Sequence, residues 1–109
     1  MGLFGKTYKW KAHLSEQEVH DAIACMEEIV DNDKFAMGFQ PPEVQKGILE
    51  RKTALQLLKT KNKLTEAEID LICCCLRKEI VLRQSRGQGM EQLRMLNNLG
   101  YAFSSMKSK

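Results

Sequence analysis

Residues 64 to 82 read LTEAEIDLICCCLRKEIVL, and the architecture is read outward from this run. It opens with the chemistry of a helix start. Thr65 stands as N-cap with Glu68 three residues on, and Leu64 and Ile69 are spaced for a hydrophobic staple. At 100° per residue, Ile69, Ile72, Cys73, Leu76 and Ile80 fall on one stripe. Leu71, Cys74, Cys75, Val81 and Leu82 fall on the far side, interrupted mainly by Lys78. A helix apolar on two faces cannot lie on a surface and has to be covered from both sides. The sequence therefore predicts a central helix over about 65–84, enclosed by its own chain or partly by a partner.

Upstream, Lys59, Lys61 and Lys63 surround Asn62 in the turn before this helix, where cations complement the end of a preceding helix. That preceding helix is predicted from Pro42, a favoured first-turn residue, to about Lys61. Val44, Ile48, Leu55 and Leu58 form its stripe, and Arg51 stands inside it. An arginine there either keeps its head wet at the edge or meets a carboxylate across a helix contact. Before it, KFAMGFQPP (residues 34–42) is the clearest break, with Phe35, Met37 and Phe39 as large apolar residues in a loop. They are expected to be pinned under neighbouring helices and, if exposed, to form a sticky patch.

The first helix is predicted from Ser15. LSEQEV at 14–19 carries a second capping box (Ser15, Glu18) and staple (Leu14, Val19). Val19, Ala22, Ile23, Met26, Ile29 and Val30 make one stripe, so this helix should cover one side of the central one, and Asp31-Asn32-Asp33 should end it. LSEQEV matches LTEAEI fifty residues later, but the likeness fades after two turns. Shared helix-start chemistry accounts for it without duplication.

Residues 1–13, MGLFGKTYKWKAH, form a distinct basic and aromatic arm. Tyr8, Trp10 and Ala12 alternate with Thr7, Lys9 and Lys11, which suits a short extended segment. Such interleaving can hold phosphates and stack on bases, or sit at a lipid headgroup layer. The favoured expectation is plainer: the rings close the core while the lysines stay in water.

Downstream, Arg83, Arg86, Gly87 and Gly89 make a polar break. A fourth helix is predicted from Met90 to about Leu99, with Leu93, Leu96 and Leu99 inward and Asn98-Leu99-Gly100 as its stop. Tyr101 and Phe103 should fold back on the core, leaving 104–109 as a flexible tail.

The length suits one helical domain over 14–103. An apolar fraction of 43%, a charged fraction of 28% and only two prolines point to an all-α chain of four helices. A net charge of +3 permits an acidic partner without demanding one. No run resembles a signal peptide or a bilayer span, and Lys6 stands where a myristoylation motif wants Ser or Thr. The expected compartment is the cytoplasm, with the cysteines reduced.

Little in the chain converges on chemistry. Cys73, Cys74 and Cys75 diverge by 100° each, so they cannot make a tetrahedral zinc site alone, and neither Cys25, His13 nor His20 completes a recognised spacing. Asp31-x-Asp33 fails as a calcium loop, because Phe35 and Ala36 occupy the next ligand and glycine positions. There is no glycine-rich phosphate cradle, nucleophile elbow or HExxH. No cofactor and no small-molecule substrate is expected, and no catalytic residue is named.

The expectation is a non-enzymatic interaction module that contacts a protein partner or itself, as a homodimer. Its candidate interface is Leu71, Cys75 and Leu82, with Phe35, Met37 and Phe39 as a second patch. The alternative is a nucleic-acid-binding regulator using Lys9, Trp10, Lys11, Lys59, Lys61, Lys63, Arg83 and Arg86. A membrane contact is the weakest of the three.

Overall fold

In the computed structural model, which describes residues 6–34, 40–91 and 93–107, the chain is all-α. Helices α1 (Glu16–Asp33), α2 (Pro42–Thr60), α3 (Glu66–Ser85) and α4 (Arg94–Met106) are joined by a two-stranded seam of β1 (Thr7–Tyr8) and β2 (Leu64–Thr65). The extended arm is shorter than its alternation suggests, because a single 3-10 turn takes over at Trp10–Ala12.

Both capping boxes form. Ser15 Oγ accepts from the Glu18 N–H at 3.1 Å, and Glu18 accepts from the Ser15 N–H at 2.8 Å. The same exchange joins Thr65 and Glu68 at 3.2 and 2.9 Å. Each satisfies two otherwise orphaned N–H groups, worth about 1 kcal/mol at a helix start. Helix α3 ends at Gly87, whose φ of 91° is the only positive one found among the described residues. The Gln88 N–H reaches the Arg83 carbonyl and the Gly87 N–H the Gln84 carbonyl, which is a Schellman stop.

The fourth helix departs from expectation at both ends. It begins at Arg94 after a turn, and it runs straight through Gly100 to Met106. A glycine inside a helix costs about 1 kcal/mol against alanine. Continuing the helix buries Phe103 and Met106 in register with Leu96 and Leu99, and each such side chain is worth about 1.5–3 kcal/mol. Burial wins, so residues 104–106 belong to the helix and not to a tail.

The core joins all four helices to the arm. Trp10 is fully buried, its ring stacked on Phe103 at 5.8 Å and its Nε1–H donating to the Lys61 carbonyl at 2.8 Å. Tyr8 is buried too, and its hydroxyl donates to Glu66 at 3.1 Å. Helix α3 is the middle element, packed against α2 on one side and α4 on the other. Helix α1 packs chiefly along α2 and less on α4, so it does not blanket α3 as its single stripe suggests. Ion pairs tie its end down instead. Arg51 grips Asp33 through two bonds of 2.6 and 2.9 Å, and Arg83 bridges Glu79 on its own helix (2.7 Å) to Glu28 on α1 (2.9 Å).

The enclosure expected of α3 is incomplete. Its inner flank, Ile69, Ile72, Cys73, Cys75, Leu76 and Glu79, is buried. On the outside, Leu71 and Cys74 are half-buried, while Val81 is 64% and Leu82 44% exposed.

Candidate protein-contact surface

The open side of α3 is a strip and not a scatter. Ala67, Leu71, Cys74, Lys78, Val81 and Ser85 follow one another at alternating steps of four and three, which keeps them on one line along the helix. From Ala67 to Val81 the line runs about 21 Å at 1.5 Å per residue. Lys78 interrupts it, its ammonium drawn 3.7 Å from Glu50 on α2. Leu82 lies at the margin, among the residues that line a recess against α1 and α2.

Beside Leu82 a recess of about 150 Å³ opens between α1, α2 and α3. Asp33, Arg51, Glu79 and Arg86 line it, and Cys75 forms part of its wall. The acids there are already engaged, Asp33 by Arg51 and Glu79 by Arg83. Burial pushes the Cys75 thiol up to about 11 and raises that of Cys25 as well, so neither is a ready nucleophile. On the other side of α3, a groove of about 230 Å³ runs along α4 between Arg77, Ile80, Asn97 and Tyr101. Tyr101 is 77% exposed, although the sequence suggests that it folds back on the core.

Of the candidate interface residues, the structure places Leu71 and Leu82 on the open side of α3. Cys75 lies in the core, and Cys74 occupies the outward position one residue earlier. The reason is rotation. Helix α2 covers the flank that carries Cys75, so the wet line turns towards Cys74 and Val81. Phe35, Met37 and Phe39 lie outside the described residues. Sequence reading also missed Leu49, 64% exposed on the outside of α2, because it stands off every stripe.

The nucleic-acid set divides between the two ends of α3, about 30 Å apart for twenty residues. Lys9, Trp10, Lys11, Lys59, Lys61 and Lys63 gather at the N-terminal end, and Arg83 and Arg86 stand at the other. Trp10 is sealed in the core and Arg83 is held by two carboxylates. Lys59 is paired with Glu27 at 3.6 Å and Lys61 with Glu68 at 3.0 Å.

His20 is exposed and lies 3.7 Å from Asp21, away from any thiol in its contacts. Cys73 shares a 3.5 Å contact with the Ser104 hydroxyl. Among the described residues, no group of three His, Cys, Asp or Glu side chains is placed to hold a metal ion. No described helix is long and apolar enough to cross a membrane. Comparison with protein-family models, curated proteins and solved structures gives no match to this chain. The reading of its function therefore rests on the geometry alone.

Proposed function

We propose that the chain is a small protein-contact module that associates with itself through the outward strip of α3. The observation that carries this is the heptad-spaced line Leu71, Cys74 and Val81, with Leu82 at its margin, left half-buried to exposed on a helix whose inner flank is buried. Covering such a line with a second copy removes apolar area from water, and helices pair through residues at these steps. A polar crossing point at Lys78 would fix how the two helices are aligned, as single polar residues do in helical seams. The alternative of a nucleic-acid contact keeps only the exposed cations of its set, since Trp10 and Arg83 are used within the chain.

Sedimentation velocity across the micromolar range tests the reading. A concentration-dependent dimer is expected, and Val81→Asp should disperse it while leaving the helical spectrum, and the melting of the dilute monomer, unchanged. A bismaleimide should join two copies through Cys74, the least buried of the four thiols, and Cys74→Ser should abolish the product. A chain that stays monomeric throughout and gives no Cys74 product rules the proposal out.

A further inference from the structure

The seam beside the Trp10 turn collects cations from two distant parts of the chain. Thr7 stands opposite Thr65 and Tyr8 opposite Leu64, so the residues that follow the last rung are Lys9 and Lys63. Tyr8 and Leu64 are buried and the two lysines exposed, as alternation along a strand requires. The Trp10 Nε1–H, bonded to the Lys61 carbonyl, keeps the two segments together beyond the rung. Lys11 lies 5.6 Å from the centre of the Trp10 ring, and Lys6 lies 5.5 Å from that of Tyr8.

Neither the Lys9 nor the Lys63 ammonium makes a hydrogen bond or ion pair with another described residue, although the Lys9 carbonyl accepts from the Ala12 N–H at 2.9 Å. Lys9 and Lys63 lie just beyond the last rung, outside the strands themselves. The nearby carboxylates are spoken for, Glu66 by Tyr8 and Glu68 by Lys61 and the Thr65 N–H. Helix α1 shows the opposite bias. Glu16, Glu18, Asp21, Glu27, Glu28, Asp31 and Asp33 lie on it with no Lys or Arg. The positive excess of the chain is therefore concentrated away from α1, and the seam is one place where it gathers.

We propose that the lysine seam is a docking site for an anionic lipid surface. All five cations there are lysines, which meet phosphate and carboxylate headgroups as point charges without the paired geometry that arginine uses on bases. Tyr8 and Trp10 are spent inside the core, so neither offers a platform for stacking a base. The site shares no residue with the α3 strip, and each can fail without the other.

Co-sedimentation of the full chain with vesicles of phosphatidylcholine, with and without phosphatidylserine, tests the site. Binding is expected only to the serine-containing vesicles and should weaken as salt rises. Lys9→Glu combined with Lys63→Glu should lower the affinity by about tenfold or more. Lys9→Gln with Lys63→Gln serves if the reversed pair does not fold, and a melting curve equal to that of the parent separates charge from fold. Equal binding by the substituted chain overturns the proposal, and so does no binding to either vesicle. Tighter binding of a fluorescent duplex or single-stranded RNA than of the vesicles at matched salt also overturns it, and assigns the seam to nucleic acid.

Discussion

The two long faces of α3 have nearly the same composition and opposite fates. Ile69, Ile72, Cys73 and Leu76 on one are sealed beneath α2 and α4, whereas Val81 and Leu82 on the other meet water and Leu71 and Cys74 are only half covered. Hydropathy along the helix does not separate them. What does is the number of neighbours the chain can supply. Two helices flank α3, and the third, α1, spends most of its own apolar stripe on α2. A helix apolar all round needs a ring of partners, and this chain closes only part of one.

The sealed face should respond most to truncation. Ile72→Ala removes a fully buried side chain, and its expected cost is about 2–5 kcal/mol in chemical denaturation. Next comes the clamp at the end of α1. Arg51→Ala leaves Asp33 half-buried without its two bonds and should cost about 2 kcal/mol, while Arg51→Lys should recover only part, because an ammonium cannot make the forked contact. An Arg51→Ala chain as stable as the parent would mean that α1 is held by apolar contact alone.

A smaller effect belongs to pH. Burial works to raise the Glu68 carboxyl, but the Thr65 N–H and Lys61 together hold it below its ordinary 4.5. A carboxyl lowered in the folded state stabilises above its unfolded value, and the contribution fades as pH falls through the lower folded value. Stability should therefore drop below about pH 4.5. Glu68→Gln should cost about 1 kcal/mol at neutral pH, as loss of a capping contact does, and flatten that part of the acid limb. An unchanged acid limb in Glu68→Gln would show that the start of α3 is not where protonation acts.

Much of this could be read from the residues. Ser15 with Glu18 and Thr65 with Glu68 announce two helix starts because the capping exchange is local, requiring only three residues of spacing. Arg51 within an apolar stripe left two readings open, a wet head or a carboxylate across a contact, and its pair with Asp33 is the second. What failed was non-local. Gly100 and Gly87 look alike as stops, yet only Gly87 turns the chain, since Phe103 and Met106 still have core to reach beyond Gly100. Cys75 and Cys74 differ by one step of 100°, and which is wet depends on where α2 lies, which no single helix encodes. The alternation of the arm gave strand to Tyr8 and then misled, because Trp10 reaches the core by a 3-10 turn stacked on Phe103.

The adjacent thiols sharpen the comparison further. With its thiol pushed up to about 11, Cys75 is ionised to about one part in a thousand at pH 8. Cys74, partly wet, should therefore react first with a disulfide reagent in the native chain, with Cys25 and Cys75 following only on unfolding. Simultaneous reaction of all the thiols under native conditions would mean that the sealed face opens as readily as the strip.

The smallest expected effect is the most pointed. Val81→Ala trims an apolar side chain of the same helix, about two and a half turns from Ile72 and 64% exposed, and should change the stability of the monomer by less than about 0.5 kcal/mol. Measured in dilute solution, where association is minimal, that value isolates the strip from any partner. Repeated at high protein concentration, the same substitution should lower apparent stability further, because a dimer linked to folding adds its binding energy to that of the chain. A loss in dilute solution comparable to that of Ile72→Ala would mean that the chain covers Val81 after all, and the contrast between the two faces would disappear.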